Sequence, residues 1–243
     1  MTAQKNRQQA FWEQAGEDGY GETMFNNTFV EQHIRSTIWD EAIKTAKLLE
    51  LNSDSRVLEL GCGDGTFAVT TLAKNFASID GYDRSVSAIK RCNTLYKSKA
   101  LHFHVSNVIE LDYAPGQYWD GAFLMGFLHH VKEKAAVIVS RLAKVAPLVV
   151  VVDPNGDNPI RKTLELLPSY RQAGEDSFRL NELKSIFSLY GYELVSQNQV
   201  SVVPPFTPTF LLPPMIYLEK IIESNRILKK ISSTYILGFK RVG

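Results

Sequence analysis

The chain has 243 residues, 44% of them hydrophobic and 22% charged, so it can bury a sizeable core in one domain with additions. Its formal charge of +1 and pI near 7.7 exclude the strongly basic surface that a protein following many nucleic-acid phosphates needs. We therefore expect no nucleic-acid partner.

Cysteine usage and the N-terminal residues bear on the cellular compartment. Cys62 and Cys92 are too few for a disulfide framework, and no Cys/His cluster has the spacing of a metal site. Residues 1–22 are polar and mixed in charge, unlike a signal or transit peptide. The longest apolar run, residues 145–152, contains a proline and is shorter than the roughly 20 residues of a membrane-spanning helix. We predict a cytoplasmic protein without a metal.

The first two thirds of the chain alternate between two kinds of pattern. Residues 28–51 carry apolar side chains three and four apart, which predicts one or two amphipathic helices. After residue 55, short β-branched runs alternate with segments of helical period, as in a parallel sheet covered by helices. The predicted strands are residues 56–60, 78–82, 101–105, 119–125 and 148–153, and the predicted helices are residues 66–75, 85–97 and 131–146. This order is typical of a doubly wound α/β fold.

The last third departs from this alternation. A helix is predicted over residues 181–190, with Asn181 as its N-cap, and two further strands over residues 192–203 and 234–242. Between these strands, half of the ten prolines fall within residues 204–214 and interrupt regular structure. An amphipathic helix is predicted to follow at residues 215–231.

A glycine-rich loop follows the first predicted strand, in residues 57–67 (VLELGCGDGTF). Such a turn lets the backbone approach a ligand closely, and the next helix offers free N–H groups. Thr66 stands where a dinucleotide-binding fingerprint has its third glycine. Glu59 and Asp64 would repel a pyrophosphate but suit the ammonium group of a methionine moiety. The loop therefore favours a cation-bearing cofactor, and a nicotinamide oxidoreductase is the rival hypothesis.

A second acidic position supports this interpretation. A carboxylate at the end of the second strand, about 20 residues beyond the loop, can accept hydrogen bonds from both ribose hydroxyls. Asp83 stands there, and Asp80 is a competitor that lies earlier in the strand.

With these motifs in this order, residues 56–192 resemble a class I S-adenosylmethionine-dependent methyltransferase of the small-molecule type. The resemblance implies a Rossmann-like, doubly wound sheet of seven strands whose last strand is antiparallel. It divides a single domain, 1–243, into an N-terminal helical lid (1–52), a cofactor-binding core (53–200), a substrate-cap insertion (201–232) and the last strand (233–243). The insertion replaces a short hairpin of the simplest members, so we expect it to help form the acceptor site.

The resemblance also implies which residues hold S-adenosyl-L-methionine. The loop would hold the methionine part and Asp83 the ribose, while Asn107, in place of the more usual Asp, accepts a hydrogen bond from the adenine amino group. Trp12, Tyr20 and Phe25 would belong to the lid. The expected cofactor contacts are Tyr20, Glu59, Gly61, Cys62, Gly63, Asp83, Arg84, Ser106, Asn107, Val108 and Met125.

Two adjacent histidines are the candidate catalytic residues. A base assists methyl transfer when the acceptor carries a proton of high pKa, and histidine titrates near neutrality. His129 and His130 follow the fourth predicted strand, at the edge where doubly wound folds bind ligands. We predict that one of them is the base; the alternative is that both cap a helix or pack on the cofactor. Cys62 is explained by its place in the loop rather than as a nucleophile.

Polar residues after the fifth predicted strand reach the same edge. Asp153, Asn155 and Asn158 contact the acceptor or only form a turn.

The leading functional prediction is methyl transfer to an oxygen or nitrogen of a small metabolite. One alternative is a lipid or isoprenoid acceptor at a membrane surface, suggested by the apolar residues 204–218 and by the basic residues Arg226, Lys229 and Lys230. Another is a cofactor-binding module without turnover.

Overall fold

The structure is a computed structural model, and it describes residues 10, 13–14, 25, 27–111, 113, 116–166 and 176–242. Its centre is one sheet of seven strands: β1 (Arg56–Leu60), β2 (Ser78–Asp83), β3 (Leu101–Val105), β4 (Gly121–Met125), β5 (Leu148–Pro154), β6 (Tyr192–Val200) and β7 (Thr234–Arg241). The spatial order is β3-β2-β1-β4-β5-β7-β6. Strands β1 to β5 pair in parallel, and β7 runs antiparallel to both of its neighbours. The predicted Rossmann-like sheet is confirmed.

The strand order creates a crevice at one edge of the sheet. From β1 the chain moves outward through β2 and β3, then returns to place β4 on the other side of β1. The loops after β1 and β4 therefore diverge to opposite faces of the sheet. A ligand binds at such a switch point, outside the carboxyl ends of the strands.

Helices cover both faces of the sheet. They are α1 (Thr28–Leu48), α2 (Thr66–Thr70), α3 (Val86–Leu95), α4 (Ala135–Leu142), α5 (Pro159–Leu164), α6 (Leu180–Ser188) and α7 (Leu212–Ser224). One apolar core packs α4 and α6 against the sheet, and a second core packs α1, α2 and α3 against its other face. The β-branched and aromatic side chains of the central strands fill both layers, which is why these strands read as continuous apolar runs.

Some predicted helices are shorter or start elsewhere. In place of one helix over residues 131–146, a 3-10 segment, Leu128–Lys134, precedes α4, and Val131 within that segment leaves helical geometry with φ of −125°. The prediction of Asn181 as an N-cap is wrong. Arg179 occupies that position, and its N–H donates to the Glu182 carboxylate at 2.6 Å, so the acid three residues on satisfies the helix start.

The segment between β6 and β7 packs on the N-terminal helix. Val203 and Leu212 form a small apolar cluster with Val30 and Ile34 of α1. The Glu219 carboxylate of α7 accepts hydrogen bonds from the Val202 N–H at 2.5 Å and the Val203 N–H at 3.1 Å, and it lies 2.6 Å from His33 Nε2. These contacts fix α7 onto α1. None of the helices described here combines the length and the apolar character that a membrane-spanning segment requires.

Candidate active site

A cavity of about 430 Å³ opens at the switch point. Its walls come from the glycine loop, the ends of β2 and β5, the loops after β3 and β4, and the inner side of α1. This volume lies within the usual range for small-molecule and cofactor sites. The predicted loop, acid and histidine residues are thus brought together from three separate parts of the chain.

Glycine is required in the loop between β1 and α2. Gly61, Gly63 and Gly65 adopt φ values of 74°, 54° and 73°, in the left-handed region that glycine tolerates best. A Cβ on Gly61 would lie 2.5 Å from the Phe127 ring. The backbone N–H groups of Gly61 and Cys62 both donate to the Tyr82 carbonyl, at 2.8 and 3.1 Å. The loop is therefore held tightly against the end of β2.

Asp83 joins the loop to the second strand. Its carboxylate accepts hydrogen bonds from the Gly63 N–H at 3.0 Å and from the Ser85 N–H at 2.8 Å, and it lines the cavity. Burial raises the pKa of this carboxyl group, and the two backbone hydrogen bonds oppose that shift. Asp80, the competing acid, does not line the cavity, because it accepts a hydrogen bond from the Trp119 indole N–H at 2.8 Å. Of these two candidate acids, Asp83 is the one that lines the cavity.

Glu59 places a buried carboxyl group beneath the loop. It is 1% exposed, and its Oε2 accepts no hydrogen bond from any residue that the structure describes. Burial first, and then the nearby carboxylates of Asp64 and Asp83, raise the pKa of Glu59 well above its ordinary value. A cationic ligand would oppose this shift, since an opposite charge favours the ionised form. The site therefore fits a cofactor that carries an ammonium group.

Most of the other expected cofactor residues also line the cavity. Arg84, Asn107, Val108 and Met125 are among its walls, and so is Phe25 from the expected lid. Ser106 is not a wall residue; its backbone N–H donates to the Asp83 carbonyl at 2.8 Å and fixes the β3 end. Trp12 and Tyr20 lie outside the described residues.

The two histidines differ in their surroundings. His129 is 4% exposed, and its Nδ1 lies 2.8 Å from Oδ1 of Asp153, which is 1% exposed at the end of β5. Because the carboxylate is the acceptor, Nδ1 carries the hydrogen and Nε2 is the basic nitrogen of the neutral ring. His130 lies against His129, with ring centroids 3.9 Å apart. Both histidines and Asp153 line the cavity.

The asparagines after β5 have structural partners. Asn155 donates its amide N–H groups to the carbonyls of Lys230 and Ser232, at 3.0 and 2.8 Å. Asn158 donates to the Ile231 carbonyl at 2.7 Å and caps α5. Neither residue lines the cavity, so of the three polar residues only Asp153 belongs to the site.

Cys62 does not have the environment of a nucleophile. Burial raises the pKa of its thiol well above the ordinary value, and the negative charges of Glu59 and Asp83 raise it further. A thiol in this setting stays protonated at neutral pH.

Several cavity residues belong to no sequence motif that would predict their place in the site. Ile34, Arg35, Ile38 and Trp39 of α1 form one wall, and Arg35 lies 5.1 Å from the Trp39 ring centroid. Arg161 of α5 is a further wall residue. The helical period of α1 predicts a buried face, but only the fold shows that this face borders the site. No described residue of 201–232 lines the cavity; the insertion meets it indirectly, through α1.

The switch-point cavity and the acidic glycine loop define a Rossmann-like domain that binds a nucleoside cofactor bearing a cation. A family model described as a methyltransferase domain matches residues 32–197, more than half of the chain. The chain belongs to this family of methyltransferases with the class I fold, and its cofactor is S-adenosylmethionine.

Solved structures share the fold at low sequence identity. Magnesium protoporphyrin IX methyltransferase from Synechocystis, with bound S-adenosylmethionine, is 15% identical over 97% of this chain and 97% of its own, with a TM-score of 0.60. A complex of the Haloferax volcanii Trm112 methyltransferase activator with its partner protein matches at 14% identity, 96% and 98% coverage and a TM-score of 0.67. The [4+2]-cyclase SpnF matches at 17% identity, 84% and 81% coverage and a TM-score of 0.59. No curated protein sequence matches significantly. The cyclase shows that the fold alone does not fix the reaction.

Proposed function

We propose that this methyltransferase acts on an oxygen or nitrogen nucleophile of a small molecule, with His129 as the general base. The observation that carries the proposal is the buried pair of His129 and Asp153, which faces the cavity and has its nitrogen and oxygen 2.8 Å apart. A residue that only capped a helix would not need a buried carboxylate partner at the ligand-binding edge of the sheet.

The residues that would hold the cofactor divide into three groups. Glu59 and the loop residues Gly61, Cys62 and Gly63 suit the methionine end, where a cation compensates the buried acids. Asp83, with Arg84 beside it, suits the ribose. Asn107 and Val108 suit the adenine ring, and Met125 also lines the cavity. Tyr20 is proposed as a further contact on the resemblance alone.

His129 and Asp153 supply proton transfer. Bound S-adenosylmethionine would supply an electrophilic methyl group with its sulfonium sulfur as the leaving group, and the attacking acceptor would lose a proton. The acceptor proton goes to Nε2 of His129, and Asp153 stabilises the resulting imidazolium through Nδ1–H. His130 packs beside this ring and limits its rotation.

The remaining walls shape the acceptor side of the cavity. Apolar side chains of α1, Ile34 and Ile38 among them, line the same cavity as Arg35 and Arg161. Such a surface suits a compact, partly apolar acceptor, because a small number of placed polar groups then fixes its orientation. The two free, buried cysteines are compatible with the cytoplasmic location that we propose.

Tritium-labelled S-adenosylmethionine tests this proposal. The purified protein is incubated with it and with separated small-molecule, lipid, protein and RNA fractions of a cell extract. We expect label to enter the small-molecule fraction, and we expect the His129→Ala variant to bind the cofactor normally but to transfer at least about 100-fold more slowly. Label confined to protein or RNA would refute the proposed substrate class. Full transfer by His129→Ala would refute the base.

A further inference from the structure

Helix α7 carries apolar residues on two sides, one of them buried and the other exposed. Its inner positions, Leu212, Ile222 and the polar Glu219, are buried. Tyr217, which is 70% exposed, lies within about 100° of Leu218 and Ile221 around the helix axis, so these three form an outer apolar stripe. A helix that carries apolar residues on an uncovered side normally meets a further surface.

Further exposed apolar residues flank α7 in the chain. The exposed residues Phe206, Phe210 and Leu211 precede the outer stripe, and Ile227, Leu228 and Ile231 follow it. We call residues 206–231 the C-terminal patch. Of the 21 large hydrophobic side chains that are exposed in the described part of the chain, nine belong to this patch. This concentration distinguishes the patch from scattered surface hydrophobics, which need no explanation.

The fully exposed charges of the patch are all positive: Lys220, Arg226 and Lys230. Lys229 and Glu223 are both half-buried, and Glu223 accepts a hydrogen bond from the Ser201 N–H at 2.8 Å. Glu219 is buried and is bound to α1 and to the chain after β6. The patch is therefore locally cationic, although the whole chain carries a formal charge of only +1.

The exposed apolar side chains and the positive charges together indicate which partner the patch would bind. Two copies meeting symmetrically through it would place like charges face to face, which disfavours self-association. An anionic lipid surface suits it, because exposed aromatic and aliphatic side chains enter the headgroup region while Lys and Arg remain beside the lipid phosphates. We propose that the C-terminal patch docks this methyltransferase reversibly on an anionic membrane surface.

Docking would place the cavity close to the lipid. Ile34 of α1 packs in the cluster that contains Leu212 of α7, and it also lines the cavity. One helix therefore separates the membrane-facing patch from the site. The proposal stands without any particular acceptor, since it rests on the outer surface of the insertion.

Vesicle co-sedimentation tests the proposal with matched variants. The full chain is mixed with phosphatidylcholine vesicles, or with vesicles of phosphatidylcholine and phosphatidylglycerol in equal parts, at low and high salt. Phe210→Ser removes a side chain that is 77% exposed, and its control, Leu189→Ser, removes one that is 75% exposed beyond α6, on the other face of the sheet. Arg226→Gln combined with Lys230→Gln is compared with Lys184→Gln in α6, a control that removes one exposed basic side chain outside the patch.

We expect binding to the anionic vesicles only, weakened by salt. The double charge variant should lower the partition coefficient about 25-fold, at about fivefold for each basic side chain. Phe210→Ser should lower it about tenfold or more. Both controls should bind like the wild type, and every variant should keep its unfolding temperature and its affinity for S-adenosylmethionine. No sedimentation with anionic vesicles at low salt would overturn the proposal, as would equal losses in the controls. A dimer in light scattering that Phe210→Ser dissociates would instead assign the patch to a second copy.

Discussion

The buried carboxyl group of Glu59 gives the sharpest test of how the site recognises its cofactor. Glu59→Gln keeps the shape of the side chain and removes its charge. In the wild type, Oε2 is buried without a hydrogen bond from a described residue, and Asp64 and Asp83 add negative charge. Hydrogen bonds to charged groups contribute about 1.5–3 kcal/mol. At about 1.36 kcal/mol for each factor of ten, the variant should bind S-adenosylmethionine roughly 10- to 160-fold more weakly.

In the absence of cofactor, Glu59→Gln should stabilise the protein rather than weaken it. Because the pKa of Glu59 is raised on folding, its contribution to stability is fully present below its ordinary value of 4.5 and is lost as pH rises through the folded value. Above that ordinary value, the wild type is therefore penalised and Glu59→Gln is not. We expect the variant to be the more stable of the two at neutral pH, and the difference to shrink as pH falls toward the ordinary value.

Titration calorimetry in buffers of different ionisation enthalpy measures the affinity and the proton release on binding, and urea unfolding at several pH values measures the stability of the free protein. A cation favours the ionised form of Glu59, so the wild type should release a proton on binding at mildly acidic pH, and its affinity should rise with pH. Glu59→Gln should release fewer protons when it binds the cofactor. Equal affinities and equal proton release in the two proteins would refute the role of Glu59 as the partner of the cofactor's ammonium group.

Three further substitutions test separate parts of the structure. Asp83→Ala should weaken S-adenosylmethionine binding by about 1–3 kcal/mol. Asp80→Ala should lower stability and leave the affinity of the folded protein intact. The reverse result would make Asp80 the cofactor-binding acid and Asp83 the structural one. Asp153→Asn should lower kcat at least about tenfold, with little change in cofactor affinity, because His129 loses the carboxylate that fixes its tautomer; an unchanged pH–rate profile would contradict this. Glu219→Ala should lower the free energy of unfolding in urea by about 2–4 kcal/mol, since it leaves buried N–H groups without an acceptor, and a change as small as that of an exposed-site substitution would count against it.

The sheet and the cofactor loop were predictable because both have local patterns. Buried parallel strands read as short β-branched runs, and the observed strands begin within two residues of their predicted starts. The glycines at every second position, with Glu59 before them and Asp83 at the next strand end, are likewise local in sequence. The choice of Asp83 over Asp80 also follows from position, since Asp83 is the last residue of β2.

The acceptor side was less predictable because its contacts are long-range. His129 and Asp153 are 24 residues apart and meet because β4 and β5 are neighbours in the sheet. The contribution of Arg161 depends on where the turn after β5 places α5. The expectation that the insertion shapes the acceptor site stays a prediction, and its described residues reach the cavity only through α1. In each case tertiary packing decides, and no spacing in the sequence carries the information.

The most direct measurement of the central claim is methyl transfer by His129→Ala alongside the wild type, with labelled S-adenosylmethionine and the small-molecule fraction. If His129 is the base, calorimetry will give both proteins similar cofactor affinity, and the variant's transfer rate will fall at least about 100-fold with a changed pH dependence. Equal transfer rates with the same pH dependence would contradict the account.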